Sequence, residues 1–563
     1  MRNKRNKNIP GILKIIIPAA VIVICLAAVF TVRYMPTGKT MSLYEYFDVR
    51  ENSGEIIIFI NNERSDYRGI IENNTLYVPQ QLVQKELNQR FYMDSETNGI
   101  LYADGNNMYT FMADSNEYAD DTRKKYNSEA PVMINRNGQD YLDIEYVGTC
   151  SDIEYKSYES PSRLVIQSGN EVNRYVVAQK DIKVRYRGGV KSPVLEEAAK
   201  GDRLVYRKNV GDWVEVVTAS GVTGYVQSSA LSEGYEEERV STYAEELASM
   251  RKDYSIALGW FQIAGTAGNS TIDSVLAGTS GITTISPTWY AISDSDGNMS
   301  SFASGDFVKN MHARGIEVWP LISDIEHEFD GKAFFSSRAA RSRAIDTLIS
   351  DAQRYGYDGI NVDFERINKE SGPDYLQFIR ELSIQCRRNK LVLSIDNYKA
   401  EAYNSHYDMK EQGVFADYII LMGYDEHYSG SASGSVASIG FVEDGIKKAL
   451  EYVSKEKIIN AMPFYTRIWT EKDGTTTSRA VGMQTAIDDL NKNNAPAIWD
   501  ETAGQYFGSY EKNGETIKIW VEEDRSIEEK LKLYEKYELA GVAAWKLGLE
   551  KKSVWSVISK YTR

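Results

Sequence analysis

The stretch Tyr355-Gly-Tyr-Asp-Gly-Ile-Asn-Val-Asp-Phe-Glu365 constrains this chain more than any other. Side chains alternate across a β-strand, so Asn361, Asp363 and Glu365 share one face and Ile360, Val362 and Phe364 the other. The apolar face suits packing under a helix. Three polar groups in succession, ending in a carboxylate, are costly inside a core unless they are paired or used. The stretch therefore reads as a barrel strand that carries an active site, the alternative being a strand with a satisfied buried polar network.

The residues after Tyr254 support the barrel. Candidate strands at 256–263, 281–286, 317–322, 359–365, 390–395, 418–422, 457–463 and 541–545 alternate with amphipathic helical stretches such as 342–355 and 373–388. Eight strands is the count for closure, and catalytic groups in such barrels sit at the C-terminal strand ends, where Glu365 falls. The expected fold class is α/β, with a (β/α)8 TIM barrel at the C-terminal end, preceded by a transmembrane helix and two small β-rich domains.

The segment DGINVDFE resembles the strand-four signature of glycoside hydrolase family 18, the chitinase-like family, Asp-x-x-Asp-x-Asp-x-Glu. Asp358, Asp363 and Glu365 match it, and Asn361 replaces an Asp, as in the branch that resembles spore-cortex and peptidoglycan N-acetylglucosaminidases. Other strand ends agree in order. Met422-Gly-Tyr424-Asp425 is similar to the family's Met-x-Tyr-Asp, Pro463-Phe-Tyr465-Thr-Arg467 to its Pro-Phe-Tyr-x-Arg, and Trp545 to the tryptophan that floors the −1 subsite. The resemblance covers about 254–563.

It implies a glycosidase without a metal or cofactor that uses the substrate's own acetamide as nucleophile. Glu365 would be the general acid/base, Asp363 and Tyr424 would orient and stabilise the oxazolinium ion, and Asp425 would hold the distorted sugar. Asn361, Asp358, Met422, Tyr465, Arg467 and Trp545 would complete the substrate site. Two acids two residues apart repel, which raises the proton affinity of one of them. Asn361 is expected to hydrogen-bond Asp363 without being able to take its proton. Trp289 and Trp319 are candidate sugar platforms or plain core, and His327 and His427, which follow strands three and six, read as satisfied surface or rim histidines ahead of cleft residues. Residues 515–521 suggest only a small hairpin between strands seven and eight, hence an open groove.

Upstream, Arg2, Lys4, Arg5, Lys7 and Lys14 precede an apolar run from Ile15 to Val32 that is closed by Arg33. Residues 1–33 read as a basic cytoplasmic segment and an uncleaved single-pass anchor, with the catalytic domain outside. A cleaved signal peptide is the competing reading. Formal net charge is −15, and the five bases before Ile15, with no acid among them, leave −20 on the remainder, which argues against nucleic acid as a partner. The three cysteines, Cys25, Cys150 and Cys386, are expected to be free thiols.

Residues 40–170 form a β-rich module that resembles the copper-amine-oxidase-like N-terminal domain of bacterial surface proteins, but they contain no histidine for copper. Residues 175–232 resemble a bacterial SH3 domain, through Ile182-Lys-Val184, Asp212-Trp213-Val-Glu-Val-Val217 and Gly224-Tyr225-Val226, which implies wall attachment. A charged stretch, 236–252, reads as a linker. The combined expectation is a membrane-anchored enzyme cleaving β-1,4-linked N-acetylglucosamine in peptidoglycan. The alternatives are a chitinase or chito-oligosaccharidase, and a non-catalytic glycan-binding wall protein.

Overall fold

The computed structural model describes residues 11–51, 53–241, 243 and 247–562. The basic residues Arg2, Lys4, Arg5 and Lys7, and part of the 236–252 stretch, lie outside the described residues. A helix, Gly11–Tyr34, opens the described chain, and its segment Ile16–Tyr34 is long and apolar enough to cross a membrane, a test that a signal sequence at the same place also passes. Cys25, Cys150 and Cys386 form no disulfide among the described residues.

The chain divides into two compact units. The first takes in residues up to 91, 111–118 and 126–245. It holds a mixed seven-stranded sheet, in which Glu55–Ile60 runs parallel to Arg163–Ser168, and a second seven-stranded sheet spanning Val172–Val177 to Tyr235–Glu238 that is antiparallel throughout. Val176, Val184, Leu204, Val214, Val216 and Val226 fill the core of the latter, the inward residues of alternating strands.

The second unit comprises residues 92–110, 119–125 and 246–563. Its eight strands are β1 (Ile256–Phe261), β2 (Thr284–Ile292), β3 (Leu321–Ser323), β4 (Gly359–Asp363), β5 (Val392–Asn397), β6 (Tyr418–Met422), β7 (Ile458–Pro463) and β8 (Gly541–Trp545). All neighbours pair in parallel, and β1 pairs with both β2 and β8, so the sheet closes into the expected (β/α)8 barrel. Residues 92–110, distant in sequence, pack against this barrel's helices: Tyr92, Leu101, Ala103 and Met108 belong to its outer core, and the Tyr92 hydroxyl donates to Asp374 at 2.7 Å.

The period of two sorts β4 as the sequence requires. Ile360 and Val362 enter the apolar layer between strands and helices, whereas Asn361 and Asp363 face the lumen, whose lower part is filled by Ile256, Leu258, Trp319, Leu321, Tyr418 and Ile459. Helix Arg338–Tyr355 delivers the chain to β4. Ser337 Oγ caps its first turn, and Gly356, at φ +81°, ends it in the left-handed conformation that only glycine adopts without cost. At Gly359 a Cβ would lie 2.8 Å from both Trp319 and the Val392 carbonyl oxygen, so a close approach of strand to indole requires glycine there too.

One expectation fails between β7 and β8. In place of a small hairpin, residues 465–521 build a five-stranded antiparallel sheet (Thr475–Gly482, Tyr465–Lys472, Glu515–Val521, Gln505–Lys512, Ile498–Asp500) with helix Met483–Lys492 packed on it around Ile468, Leu490, Ile517 and Ile519. Its root is a buried ion pair. Lys530 Nζ donates to both oxygens of Glu522 at 3.0 and 3.2 Å, and Ser526 Oγ donates to the same carboxylate at 2.6 Å. Removing one partner strands the other charge, so Lys530→Met is expected to cost about 3–5 kcal/mol in denaturant unfolding of the barrel unit. A loss below about 1 kcal/mol would show that Glu522 is neutralised some other way.

Candidate active site

The polar ladder of β4 reaches the C-terminal mouth of the barrel, and each of its rungs has a different environment. Asn361 is fully buried, and both ends of its amide are engaged. Its Oδ1 accepts from Trp260 Nε1 at 2.8 Å and from Ser286 Oγ at 3.0 Å, and its Nδ2 donates to Asp396 Oδ1 at 2.8 Å. The expected bond from Asn361 to Asp363 is therefore replaced by one to Asp396. On a parallel strand the next residue of the same face lies about 7 Å further along, whereas the neighbouring strand is about 4.8 Å away, so the amide reaches sideways.

Asp363 stands one rung higher. Its Oδ1 is buried and has no hydrogen-bond partner among the described residues. Burial, then the carboxylates of Asp396, Glu365, Asp324 and Glu326, push its carboxyl well above the ordinary range. Asp396 is raised likewise, by burial first and Glu365 after, against the pull of the Asn361 amide. The repulsion foreseen on β4 thus falls on an acid pair that includes a β5 residue outside the expected set.

Glu365 sits where β4 has ended, half-buried at the mouth. Its backbone N–H donates to Asp324 Oδ1 at 2.8 Å and that of Arg366 to Asp324 Oδ2 at 3.0 Å, so a buried carboxylate after β3 pins the turn that carries it. Burial pushes Asp324 up to about 6 in spite of those two donors. The Tyr398 hydroxyl donates to Glu365 Oε2. Tyr398 also walls a cavity of about 350 Å³ that opens beside β5, together with Asn397, Tyr407, Lys448 and Tyr452. Glu365 and Asp363 are not part of that cavity's wall.

Other expected residues gather at the same end. Tyr424 follows β6, and burial, then the charges of Asp363 and Asp396, hold its phenol neutral far above its usual range. Its ring stands 6.3 Å from that of Tyr465, edge to face, and Tyr465 donates its hydroxyl to Asp425. Trp545 ends β8 and meets Trp260 at 5.8 Å. Met422 ends β6, nearly buried. Arg467 donates to Ser478 Oγ at 3.1 Å from the first strand of the insertion, and its Nε is buried without a partner among the described residues.

Asp358 does not join them. It precedes β4, five residues or about 16 Å of strand from Asp363, where its Oδ2 accepts from the Val318 amide and faces His312 Nε2, both at 2.8 Å. It ties the bottom of the barrel. Trp289 and Trp319 are 1% and 0% exposed and belong to the core, so neither is a sugar platform. His327 bonds Ser300 and His427 bonds the Ala432 carbonyl.

The arrangement offers an acid at the mouth, a neutral phenol and a carboxyl pair that holds on to protons, with the Trp545 indole at the end of β8. The sequence profile described as "Glycosyl hydrolases family 18" matches residues 266–550. "Uncharacterized glycosylase YvbX" of Bacillus subtilis is 30% identical over 262 residues, 44% of this chain and 76% of that protein. "Cortical fragment-lytic enzyme" of the same organism is 31% identical over 239 residues, 41% of this chain, and the match spans about half (55%) of its length. In fold, the barrel superposes on the Bacillus cereus spore cortex-lytic enzyme SleL with a TM-score of 0.51 and 21% identity, covering 58% of this chain and 79% of that one.

Proposed function

Because the chain belongs to glycosyl hydrolases family 18 and is a glycosidase, we propose that it cleaves β-1,4 N-acetylglucosamine linkages of peptidoglycan by substrate-assisted, retaining hydrolysis. The reading is carried by the buried Asp363 Oδ1, which has no hydrogen-bond partner among the described residues and lies two residues from Glu365 on the inward face: an acceptor left open in this way suits a substrate amide N–H. Glu365 protonates the leaving oxygen, the 2-acetamido carbonyl attacks the anomeric carbon, and Asp363 orients that acetamide while the neutral Tyr424 phenol donates to it. Glu365 then deprotonates the water that opens the oxazolinium ion. Trp545 offers an indole to the apolar face of the sugar, with Met422 beside it. Tyr465, Asp425 and Arg467 line the side from which the insertion rises.

A wall polymer is favoured by the helix Ile16–Tyr34, read as a single-pass anchor with the barrel outside, and by the antiparallel sheet spanning 172–238, read as an SH3-like wall-binding domain. The names of the cortex-lytic relatives point the same way. The five-stranded insertion favours a second reading, a chitinase or chito-oligosaccharidase, since it adds a wall to the groove. Parallel digestion of purified peptidoglycan and of chitin separates the two. We expect kcat/KM at least about tenfold higher on peptidoglycan, a difference within reach of subsite contacts, and the reverse order would select the second reading.

A further inference from the structure

The acid pair of β4 and β5 bears on how the proposed reaction is set up, and its role rests on that reading of the site. The register pairs Asn361 with Ser394 and Val362 with Ile395, which sets Asp363 beside Asp396 on adjacent parallel strands, both facing the lumen and both more than nine-tenths buried. Asn361 fixes the second of them: its Nδ2 donates to Asp396 Oδ1, while Trp260 and Ser286 hold its carbonyl and so decide which way the amide points. The titratable groups around the pair are Asp324 and Glu326 after β3, Glu365 after β4, Tyr398 after β5, Tyr407 and Tyr375 on the following helices, and Tyr424 after β6. The groups acting most strongly on Asp363 are all acids, so nothing there offsets a second buried negative charge.

We propose that Asp396 is a positioning residue that shares one proton with Asp363 across the seam between β4 and β5, with Asn361 clamping Asp396 in place. When the proton passes, the O–H bond at Asp363 breaks and one forms at Asp396. Asp363 is then the anion that accepts the acetamide N–H, and the negative charge stays single throughout. Asp396 touches no substrate in this scheme and acts only through Asp363.

The test uses the full chain, with kcat, KM, the pH–rate profile and thermal unfolding measured for Asp396→Asn and for Asp396→Glu, which keeps an ionisable carboxyl on β5 beside Asp363. Asp396→Asn is expected to lower kcat about 100-fold with KM little changed, the scale of a misplaced reacting group, and to move the acid limb to lower pH, because a like-charged neighbour of Asp363 is gone. Asp396→Glu is expected to recover part of that loss and to return the limb. Parent-like kcat and profile in Asp396→Asn overturn the proposal, as does an Asp396→Glu variant that melts like the parent but keeps the shifted profile of Asp396→Asn. Should neither variant fold, infrared spectra of the parent decide: the carbonyl band of a neutral carboxylic acid at neutral pH supports the shared proton, and its absence overturns it. A parent inactive on every acetamido glycan would instead overturn the proposed function.

Discussion

Glu365→Gln is expected to keep the barrel folded and to lower kcat on an acetamido-sugar polymer by about 10²–10⁴-fold, the span of a lost general acid. The amide is isosteric and still accepts from Tyr398, so the turn pinned by Asp324 has no reason to move. Thermal unfolding within a few degrees of the parent, together with lost turnover, would assign the effect to chemistry. Activity within about tenfold of the parent would remove Glu365 from the proton transfer. Binding of glycan by both forms without turnover by either would leave only a carbohydrate-binding barrel.

An effect of similar size is expected from the substrate side. If the nucleophile is the substrate's acetamide, removing the acetyl group deletes an attacking atom already held against the anomeric carbon, and de-N-acetylated glycan should react about 10³-fold more slowly or worse. A thiazoline analogue of N-acetylglucosamine, which copies the cyclised intermediate, should inhibit competitively. Rapid cleavage of the deacetylated polymer would make an enzyme carboxylate the nucleophile. Asp363 has a buried oxygen with no hydrogen-bond partner among the described residues, so it would be the residue to trap.

The barrel and the ends of its last three strands were legible in the sequence because both are local. Alternation over 359–365 places Asn361, Asp363 and Glu365 on one face whatever the rest of the chain does, and the strands at 418–422 and 541–545 agree with the structure residue for residue. What escaped was lateral. Asp396 lies one residue beyond the end assigned to its strand, yet Val392, Ser394 and Asp396 share the ladder's face, and carrying the same period across β5 would have found it. Asp324, Tyr398, Trp260 and Ser286 have no such signal, since their roles come from pairing between distant strands.

The insertion was announced by its turns. Asp473-Gly474 and Asn513-Gly514 all take positive φ at the tips of two hairpins, the pairs most diagnostic of tight reversals, and reading them would have turned one hairpin into a sheet. Asp358 shows the opposite error. It belongs to the motif in sequence, but a strand carries its two ends to opposite ends of a barrel, and a residue at the entry of β4 cannot reach a site at its exit.

The most direct test of the proposed activity is the new reducing end. Peptidoglycan digested by the full chain, reduced with borohydride, hydrolysed in acid and analysed by mass spectrometry should yield glucosaminitol in step with digestion, and none with Glu365→Gln. Muramitol in its place, or no new reducing end at all from a folded protein, would contradict cleavage after N-acetylglucosamine.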